Sequence, residues 1–241
     1  MQIIVTQDYN EMSLVAANQL KDFIEKKPDA VLGLPTGRTP EGMYRYLVDF
    51  HQNKGLDFST ITTFNLDEYL GLASNDPNSY HYFMNHIFFN HINIKKQNTH
   101  IPNGIAKDII KECQVYEQKI TDAGGIDIQI LGIGKNGHIG FNEPSNSLSL
   151  ETHAVSLTED TIKANAELFP SKEDVPDKAI TMGIGTIMKA RKIIVLVSGI
   201  EKRNIINKVL SGNLTTDIPA SILLLHKDVL IIGDKDAIPD R

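Results

Sequence analysis

Strand-like runs of apolar, β-branched residues alternate with helix-like segments along the chain, and this alternation limits the possible folds more than any other feature. Short connections join the segments, and the sequence contains no internal repeat and no long linker. The strand-like runs are residues 2–5, 30–34, 60–65, 99–101, 126–131, 192–197, 222–225 and 229–232. The helix-like segments are residues 11–26, 79–90, 109–121 and 201–210, with a further helix starting at Pro40. The pattern predicts an α/β fold, namely an open, mostly parallel, doubly wound sheet with helices on both faces.

Length and composition narrow the class of protein further. A chain of 241 residues suits a single domain, here predicted to span residues 1–241. The formal net charge of −6 argues against nucleic acid as the main partner, and the single cysteine, Cys113, fits a reducing compartment. The sequence has no signal-peptide pattern and no run of about 18 apolar residues. We therefore expect a cytoplasmic protein with no membrane partner.

Four chemically rich loops follow predicted strands. In open α/β sheets, ligands bind beyond the carboxyl ends of the strands, so these loops are expected to face one crevice. The loops are residues 35–39, 65–68, 132–143 and 198–202.

The first loop is a candidate anion site. Thr36, Gly37, Arg38 and Thr39 lie between a strand and a helix N-terminus, where hydroxyls, exposed N–H groups and a guanidinium suit a phosphate. The spacing is not that of a nucleotide-triphosphate loop, and the structural alternative is a tight turn with a helix cap. Lys202, at the start of a helix in the fourth loop, is a second phosphate candidate or else a surface lysine.

The second loop carries two adjacent acids, Asp67 and Glu68. Adjacent residues leaving a strand point to opposite sides, so at most one of them is expected to enter the crevice. A partly desolvated carboxylate at this place could act as a general base for a carbon acid. The alternative is a solvated turn.

The third loop is rich in glycine and follows a buried strand. Gly132, Gly134 and Gly137 fit a dinucleotide-binding spacing, but Gly140 and Pro144 interrupt the helix that such a loop requires. The loop instead carries His138 and Glu143, which could exchange protons near neutral pH. A hydrogen-bonded loop histidine is the structural alternative.

Metal and nucleophile motifs are absent from the sequence. There is no H-x-x-x-H pair, and His81, His86 and His91 are spaced by five, which does not place them on one helix face. Ser198 lacks the G-x-S-x-G setting of a hydrolase nucleophile. These loops together predict proton transfer on a phosphorylated small molecule, without a metal or an organic cofactor.

Four segments in order, residues 32–40, 64–69, 132–144 and 180–186, resemble the glucosamine-6-phosphate deaminase family over nearly the whole chain. The combination of Asn-Leu-Asp-Glu-Tyr with Gly-His-Ile-Gly-Phe-Asn-Glu-Pro is specific, since neither is a common pattern. The resemblance implies hydrolytic, isomerising conversion of glucosamine 6-phosphate and water to fructose 6-phosphate and ammonia, in amino-sugar catabolism. It also implies that no cofactor is needed.

The same resemblance assigns roles to individual residues. Asp67 corresponds to the base that moves the C2 proton to C1, and His138 to the acid/base that opens the sugar ring. Glu143 corresponds to the residue that orients His138. Asn136 stands where the family often has aspartate, so it can position groups but adds no charge. The phosphate-binding positions fall on residues 36–39 and on Lys202.

Some features depart from the family's pattern. Longer members carry a phosphate-binding arginine where this chain has Glu167, and Arg38, where they have glycine, is a candidate replacement. The basic positions of the family's allosteric site fall on His153 and Val155, and the chain ends at Arg241 without a longer tail. These differences predict a monomer or small homo-oligomer that N-acetylglucosamine 6-phosphate does not activate.

The polar segment of residues 157–176 joins the loop that carries His138 and Glu143 to the segment of residues 182–188, and it contains Pro170 and Pro176. We expect it to be a mobile lid over the site, because closure would keep water from a reactive intermediate.

Two alternatives stay open at the level of the sequence. A 6-phosphogluconolactonase-like hydrolase would share the fold and the phosphate loop but would not need Asp67 as a carbon base. A non-catalytic sugar-phosphate sensor would need the anion site but not the set of Asp67, His138 and Glu143.

Overall fold

The computed structural model describes residues 1–166, 169, 171 and 174–238, and its centre is a parallel sheet of seven strands. Those strands are β1 (Gln2–Thr6), β2 (Val31–Leu34), β3 (Thr62–Asn65), β5 (Thr99–His100), β6 (Ile128–Gly132), β9 (Lys192–Val197) and β10 (Val229–Asp234). The helices are α1 (Tyr9–Lys26), α2 (Arg38–Lys54), α3 (Tyr80–Ile87), α4 (Ile109–Asp122), α5 (Glu159–Asn165), α6 (Ile184–Met188) and α7 (Arg203–Leu210). The predicted α/β fold is confirmed.

The order of strands in this sheet is β1-β10-β9-β6-β2-β3-β5, and every neighbouring pair is parallel. After β2 the chain moves outward to β3 and β5, whereas after β6 it moves the opposite way to β9 and β10. The direction of winding therefore reverses between β2 and β6. A crevice opens at such a switch point, beyond the carboxyl ends of the two strands.

Alternate residues of the strands pack against helices on opposite faces of the sheet. Leu32, Ile194 and Ile232 belong to a core shared with α1, α2 and α3. Val31 and Ile193 belong to a second core shared with α4, α6 and α7. Because helices cover both faces of the sheet, the strands are continuous apolar runs. Such runs are the pattern from which the strands were predicted.

A smaller antiparallel sheet was not predicted. It consists of β4 (Asp67–Tyr69), β8 (Lys178–Thr181) and β7 (His153–Ser156), in the order β4-β8-β7. Asp67 and Glu68 therefore lie in a strand rather than in the loop expected from the sequence, with Asp67 opposite Thr181. Strands of three or four residues are too short to show a periodicity of their own.

One predicted strand was wrong. Residues 222–225 belong to a 3₁₀-helix, Pro219–Leu225, rather than to a strand. Pro219 suits the first turn of a helix, and a four-residue apolar run does not distinguish a strand from a helical turn. The described helices include none with the length and apolar character needed to cross a bilayer.

Candidate active site

A cavity of about 570 Å³ lies at the carboxyl ends of β2 and β6, and it brings together eight of the nine predicted site residues. The eight are Thr36, Gly37, Arg38, Thr39, Asp67, Asn136, His138 and Lys202. The ninth, Glu143, is buried next to His138 and contacts the cavity through it.

The loop after β2 presents the start of α2 to this cavity. Helix α2 begins at Arg38, and Gly37 precedes it with a φ of 90°, a conformation that side chains rarely adopt. Two tyrosines fix the loop from behind, since the Tyr44 hydroxyl donates to the Pro35 carbonyl at 2.6 Å and the Tyr9 hydroxyl donates to the Arg38 carbonyl at 2.9 Å. The first-turn N–H groups are therefore held towards the cavity, as an anion site requires.

Lys202 reaches the cavity from the turn before α7. Its ammonium donates a hydrogen bond of 2.7 Å to the carbonyl of Ile133, at the end of β6. Burial lowers the pKa of Lys202 below its ordinary value, and the nearby Lys135 acts in the same direction against Glu201. A bound phosphate would relieve both effects, because a fixed anion favours the charged ammonium.

Asp67 is a buried carboxylate, only 7% exposed, on the side of β4 that faces the cavity. Burial raises its pKa to about 8, and the adjacent charge of Glu68 adds to the rise. In the described part of the chain its side chain makes no hydrogen bond within ordinary distances. A carboxylate in this setting is strongly basic once it is ionised.

Glu68 points away from the cavity and completes the start of α3. Its carboxylate accepts hydrogen bonds from the backbone N–H groups of Tyr80 at 2.9 Å and His81 at 3.0 Å, and contacts the His81 ring at 3.0 Å. A carboxylate at a helix N-terminus is favoured by the helix dipole. The prediction that only one of the two adjacent acids enters the crevice is therefore confirmed.

Glu143 is surrounded by donors. Its Oε2 accepts a hydrogen bond of 2.6 Å from the Asn136 amide, and its Oε1 accepts one of 2.5 Å from the Thr161 hydroxyl. The same Oε1 lies 3.2 Å from Nδ1 of His138, within ion-pairing distance but not aligned as a hydrogen bond. Burial raises the pKa of Glu143, but His138, Thr161 and Asn136 outweigh it, so the pKa lies below its ordinary value.

The glycine-rich loop packs closely around His138. A side chain at Gly134 would lie 2.4 Å from the His138 ring, and the Gly134 N–H donates to the His138 carbonyl at 2.9 Å. Asn136 accepts a hydrogen bond from the His138 N–H through its Oδ1 at 3.1 Å. Gly134 thus makes room for the imidazole, and the loop carries a histidine where a dinucleotide loop would lead into a helix.

Two cavity residues were missed by sequence reasoning. Tyr80, on α3, lines the cavity and stacks on Phe141 at an interplanar angle of 11°. Thr161, on α5, lines the cavity beside Glu143. The only signal for Tyr80 was its place just after a helix cap, Ser79, and nothing in the sequence singled out Thr161.

Other predicted features lie outside the cavity. Ser198 donates to Asp234 at 2.5 Å, so the fourth loop contributes Lys202 but not its serine. No group of three or more metal-binding side chains occurs within the described ranges of the chain. Glu167 and Pro170 lie outside the described residues. His153 contacts the carbonyl of Glu151 at 2.9 Å through its ring, at the edge of the small sheet.

Known proteins similar in sequence to this chain act on sugar phosphates according to their names. Residues 9–232 match the model of the glucosamine-6-phosphate isomerase/6-phosphogluconolactonase family. Proteins named glucosamine-6-phosphate deaminase from Thermoanaerobacter sp. (strain X514) and Clostridium perfringens (strain 13 / Type A) are 58% and 53% identical. The alignments cover 100% and 98% of this chain and 96% and 98% of those proteins.

Solved structures repeat the fold. A structure described as a monomeric glucosamine-6-phosphate deaminase superposes with a TM-score of 0.97 at 52% identity and covers all of both chains. The 6-phosphogluconolactonase of Trypanosoma brucei superposes with a TM-score of 0.78 at 18% identity, over 98% of this chain and 97% of that one. The second likeness concerns the fold alone.

Proposed function

This chain belongs to the glucosamine-6-phosphate isomerase/6-phosphogluconolactonase family, and from that premise we propose that it is a glucosamine-6-phosphate deaminase. The reaction converts glucosamine 6-phosphate and water to fructose 6-phosphate and ammonia. One observation carries the proposal: a single cavity holds an anion site, a basic buried carboxylate at Asp67 and a His138–Glu143 pair. This set of groups matches the reaction, which needs one phosphate site and two separate proton transfers.

The phosphate is held by the loop of residues 36–39 and by Lys202. The N–H groups at the start of α2 and the hydroxyls of Thr36 and Thr39 donate to phosphate oxygens, and the lysine supplies a charge-assisted donor. Arg38 lies at the rim of the same loop and adds a guanidinium. The sugar then extends towards Asp67 and His138.

His138 opens the pyranose ring. The imidazole takes the proton of the anomeric hydroxyl and returns a proton to the ring oxygen, which leaves an open-chain aldehyde at C1. Glu143, ionised and fixed by Asn136 and Thr161, holds the imidazole in one orientation. The base and acid of this step are thus one side chain.

Asp67 then moves a proton from C2 to C1. The ionised carboxylate takes the C2 proton, the C1 carbonyl oxygen takes a proton from the neighbouring C2 ammonium, and a neutral enolamine forms. Protonation at C1 by Asp67 gives a C2 iminium, to which water adds, and ammonia leaves to give the ketone. The C2 ammonium of the arriving substrate lowers the pKa of Asp67 below its value of about 8 in the free protein.

The alternatives account for less of the site. Hydrolysis of a lactone would use the anion site and His138, but no carbon base at Asp67. A sensor would need neither Asp67 nor the buried His138–Glu143 pair. The similar proteins of more than half identity carry the name of the deaminase, whereas the lactonase structures share only the fold at 16–23% identity.

The proposal extends to oligomeric state and location. A monomer without allosteric activation fits the absence of arginine and lysine at the positions that His153 and Val155 occupy. The related structure with 52% identity is likewise described as monomeric. A cytoplasmic location, expected from composition, is part of the same proposal, and cell fractionation tests it. Light scattering on the purified protein tests the monomer.

The segment of residues 157–176 is proposed as a lid. Its described part includes α5, whose Thr161 lines the cavity, and Phe169, which packs at 5.8 Å from Tyr69. Hydrogen exchange of the segment should slow when a non-reactive substrate analogue is added. Equal exchange with and without the analogue would contradict the lid.

The decisive experiment measures both products. Purified protein is incubated with glucosamine 6-phosphate, and ammonia and fructose 6-phosphate are assayed in the same samples. We expect them to form in equal amounts. Hydrolysis of 6-phosphogluconolactone without any release of ammonia from the amino sugar would replace the proposal with the lactonase.

A further inference from the structure

Thr161 makes a contact that neither the reaction chemistry nor the sequence motifs assign. Its hydroxyl donates to Oε1 of Glu143 at 2.5 Å, and the side chain is 6% exposed. Thr161 lies on α5, a separate element from the glycine-rich loop that carries Glu143 and His138. The bond therefore exists only when α5 lies in this position against the loop.

The hydroxyl of Thr161 is oriented by its own helix. Thr158, the residue that caps α5, donates from its hydroxyl to Oγ1 of Thr161 at 3.1 Å. With its oxygen occupied as an acceptor, the Thr161 hydroxyl directs its hydrogen to Glu143. A short chain of hydrogen bonds thus runs from the start of α5 to the carboxylate.

The carboxylate of Glu143 has its two oxygens differently engaged. Oε2 is held by the Asn136 amide, and Oε1 is shared between the Thr161 hydroxyl and Nδ1 of His138. Two fixed donors on opposite oxygens set the plane of the carboxylate. That plane in turn decides how the imidazole is presented to the cavity.

We propose that Thr161 is a positioning residue for ring opening, because its hydroxyl keeps Glu143 ionised and in the one plane that orients His138. The role in ring opening rests on the proposed deaminase function. The effect on Glu143 is a property of the free protein and stands apart from it. On this proposal, ring opening requires α5 to be docked against the loop, in addition to the anion site and the His138–Glu143 pair.

Few charged groups lie close enough to Glu143 to influence its ionisation in place of Thr161. His138 is the titratable group in direct contact with the carboxylate among the described side chains. The charged groups that line the cavity farther out are Asp67, Arg38, Lys135 and Lys202. On α5, Lys163 pairs with Glu159 at 3.5 Å, and both are exposed.

The sign of the effect follows from the hydrogen bond. A donor to a carboxylate favours its ionised form, so removal of the Thr161 hydroxyl raises the pKa of Glu143. If the ionised carboxylate is needed, the acidic limb of the kcat/KM profile moves to higher pH. A loss of packing alone would lower the rate at every pH without moving the limb.

The test uses three variants. Thr161→Val keeps the shape and removes the hydroxyl, whereas Thr161→Ser keeps the hydroxyl and removes a methyl group. Thr186→Val is the matched control, because Thr186 is a buried threonine that donates a partly buried hydrogen bond of 2.6 Å to a glutamate, Glu117, away from the cavity. The readouts are the pH profile of kcat/KM and the titration of the Glu143 carboxyl followed by ¹³C NMR, assigned with Glu143→Gln.

We expect Thr161→Val to move the acidic limb upward and to lower kcat/KM by roughly tenfold near neutral pH. Thr161→Ser and Thr186→Val should leave the limb in place. An unmoved limb and an unchanged carboxyl titration in Thr161→Val would overturn the proposal, as would a Thr161→Ser variant that behaves like the valine. If Thr161→Val does not fold, the proposal is judged on Thr161→Ala in the same titration.

If the chain proves not to be a deaminase, the NMR titration still decides the question. A shifted Glu143 titration in Thr161→Val would support the hydrogen-bond role while the ring-opening role is lost. An unshifted titration in an active deaminase would overturn the inference and leave the proposed function intact.

Discussion

Asp67 and Glu143 are carboxylates of nearly equal burial in the same site, 7% and 8% exposed, yet their surroundings act on them in opposite directions. Asp67 faces the cavity beside another acid, and its pKa rises to about 8 through burial and then Glu68. Glu143 is also penalised by burial, but His138, Thr161 and Asn136 overcome that penalty and lower its pKa. Burial alone therefore does not set the charge of a buried acid; the charges and hydrogen-bond donors beside it act as well.

The difference corresponds to two tasks. A carboxylate that removes a proton from carbon is a stronger base when it is poorly solvated, because its ionised form is then less stable. A residue that orients an imidazole must stay ionised and fixed throughout the reaction. The first task favours an acid without donors and the second an acid with several.

The largest expected effect comes from removing the base. Asp67→Asn should lower kcat by at least on the order of 10²-fold, because an amide cannot accept the C2 proton although its shape is nearly unchanged. Exchange of the C2 hydrogen with solvent deuterium should disappear together with the activity, while phosphate binding and the fold persist. Turnover close to that of the wild type in a folded Asp67→Asn protein would refute the assignment.

A smaller effect is expected at the other acid. Glu143→Gln should lower kcat/KM by roughly 10- to 10²-fold, since a neutral amide orients His138 less well but the imidazole remains. Exchange of hydrogen at C2, measured with the open-chain fraction of the substrate, should be less affected than in Asp67→Asn. A greater loss for Glu143→Gln than for Asp67→Asn would reverse the division of tasks.

The comparison also predicts opposite effects on stability. Because the folded pKa of Asp67 is raised, the free energy of unfolding decreases as the pH rises from about 4 to about 8, by up to about 1.4 kcal/mol for each pH unit. Asp67→Asn removes this loss, so the variant should be more stable than the wild type at pH 9. Urea unfolding at pH 6 and pH 9 measures the change.

For Glu143 the sign is reversed. Its lowered pKa contributes stability above the ordinary value of 4.5, and that contribution is lost as the pH falls through the folded value. Glu143→Gln should therefore be less stable than the wild type at pH 7, with the difference shrinking in acid. A stabilised Glu143→Gln protein at pH 7 would show that its donors do not outweigh its burial.

The smallest expected effect is none. We expect hyperbolic kinetics that N-acetylglucosamine 6-phosphate leaves unchanged, because a phosphate without Arg or Lys partners at His153 and Val155 loses charge-assisted hydrogen bonds of roughly 1.5–3 kcal/mol each. Typical allosteric couplings are only about 1–3 kcal/mol. A sigmoidal curve that this ligand makes hyperbolic would mean that the two acids are set differently in two global states.

The sequence predicted the site residues that follow the ends of predicted strands. Asp67, His138 and Lys202 could be chosen because residues after buried strands meet at one edge of a parallel sheet. Tyr80 and Thr161 could not, because their hydroxyls reach the cavity only through the packing of α3 and α5 against other elements. The small antiparallel sheet escaped notice for a similar reason, since β4 has three residues and its partner strand, β8, follows more than 100 positions later.

That small sheet has a consequence for how such a site could change. Asp67 lies opposite Thr181 in it, and the Thr181 hydroxyl accepts a hydrogen bond of 3.1 Å from the Phe141 N–H in the His138 loop. The anion site, in contrast, is built on the parallel sheet by β2 and α2. Substitutions in the three short strands of the small sheet could therefore alter the reaction, in evolution or by design, while the phosphate site on the parallel sheet stays unchanged.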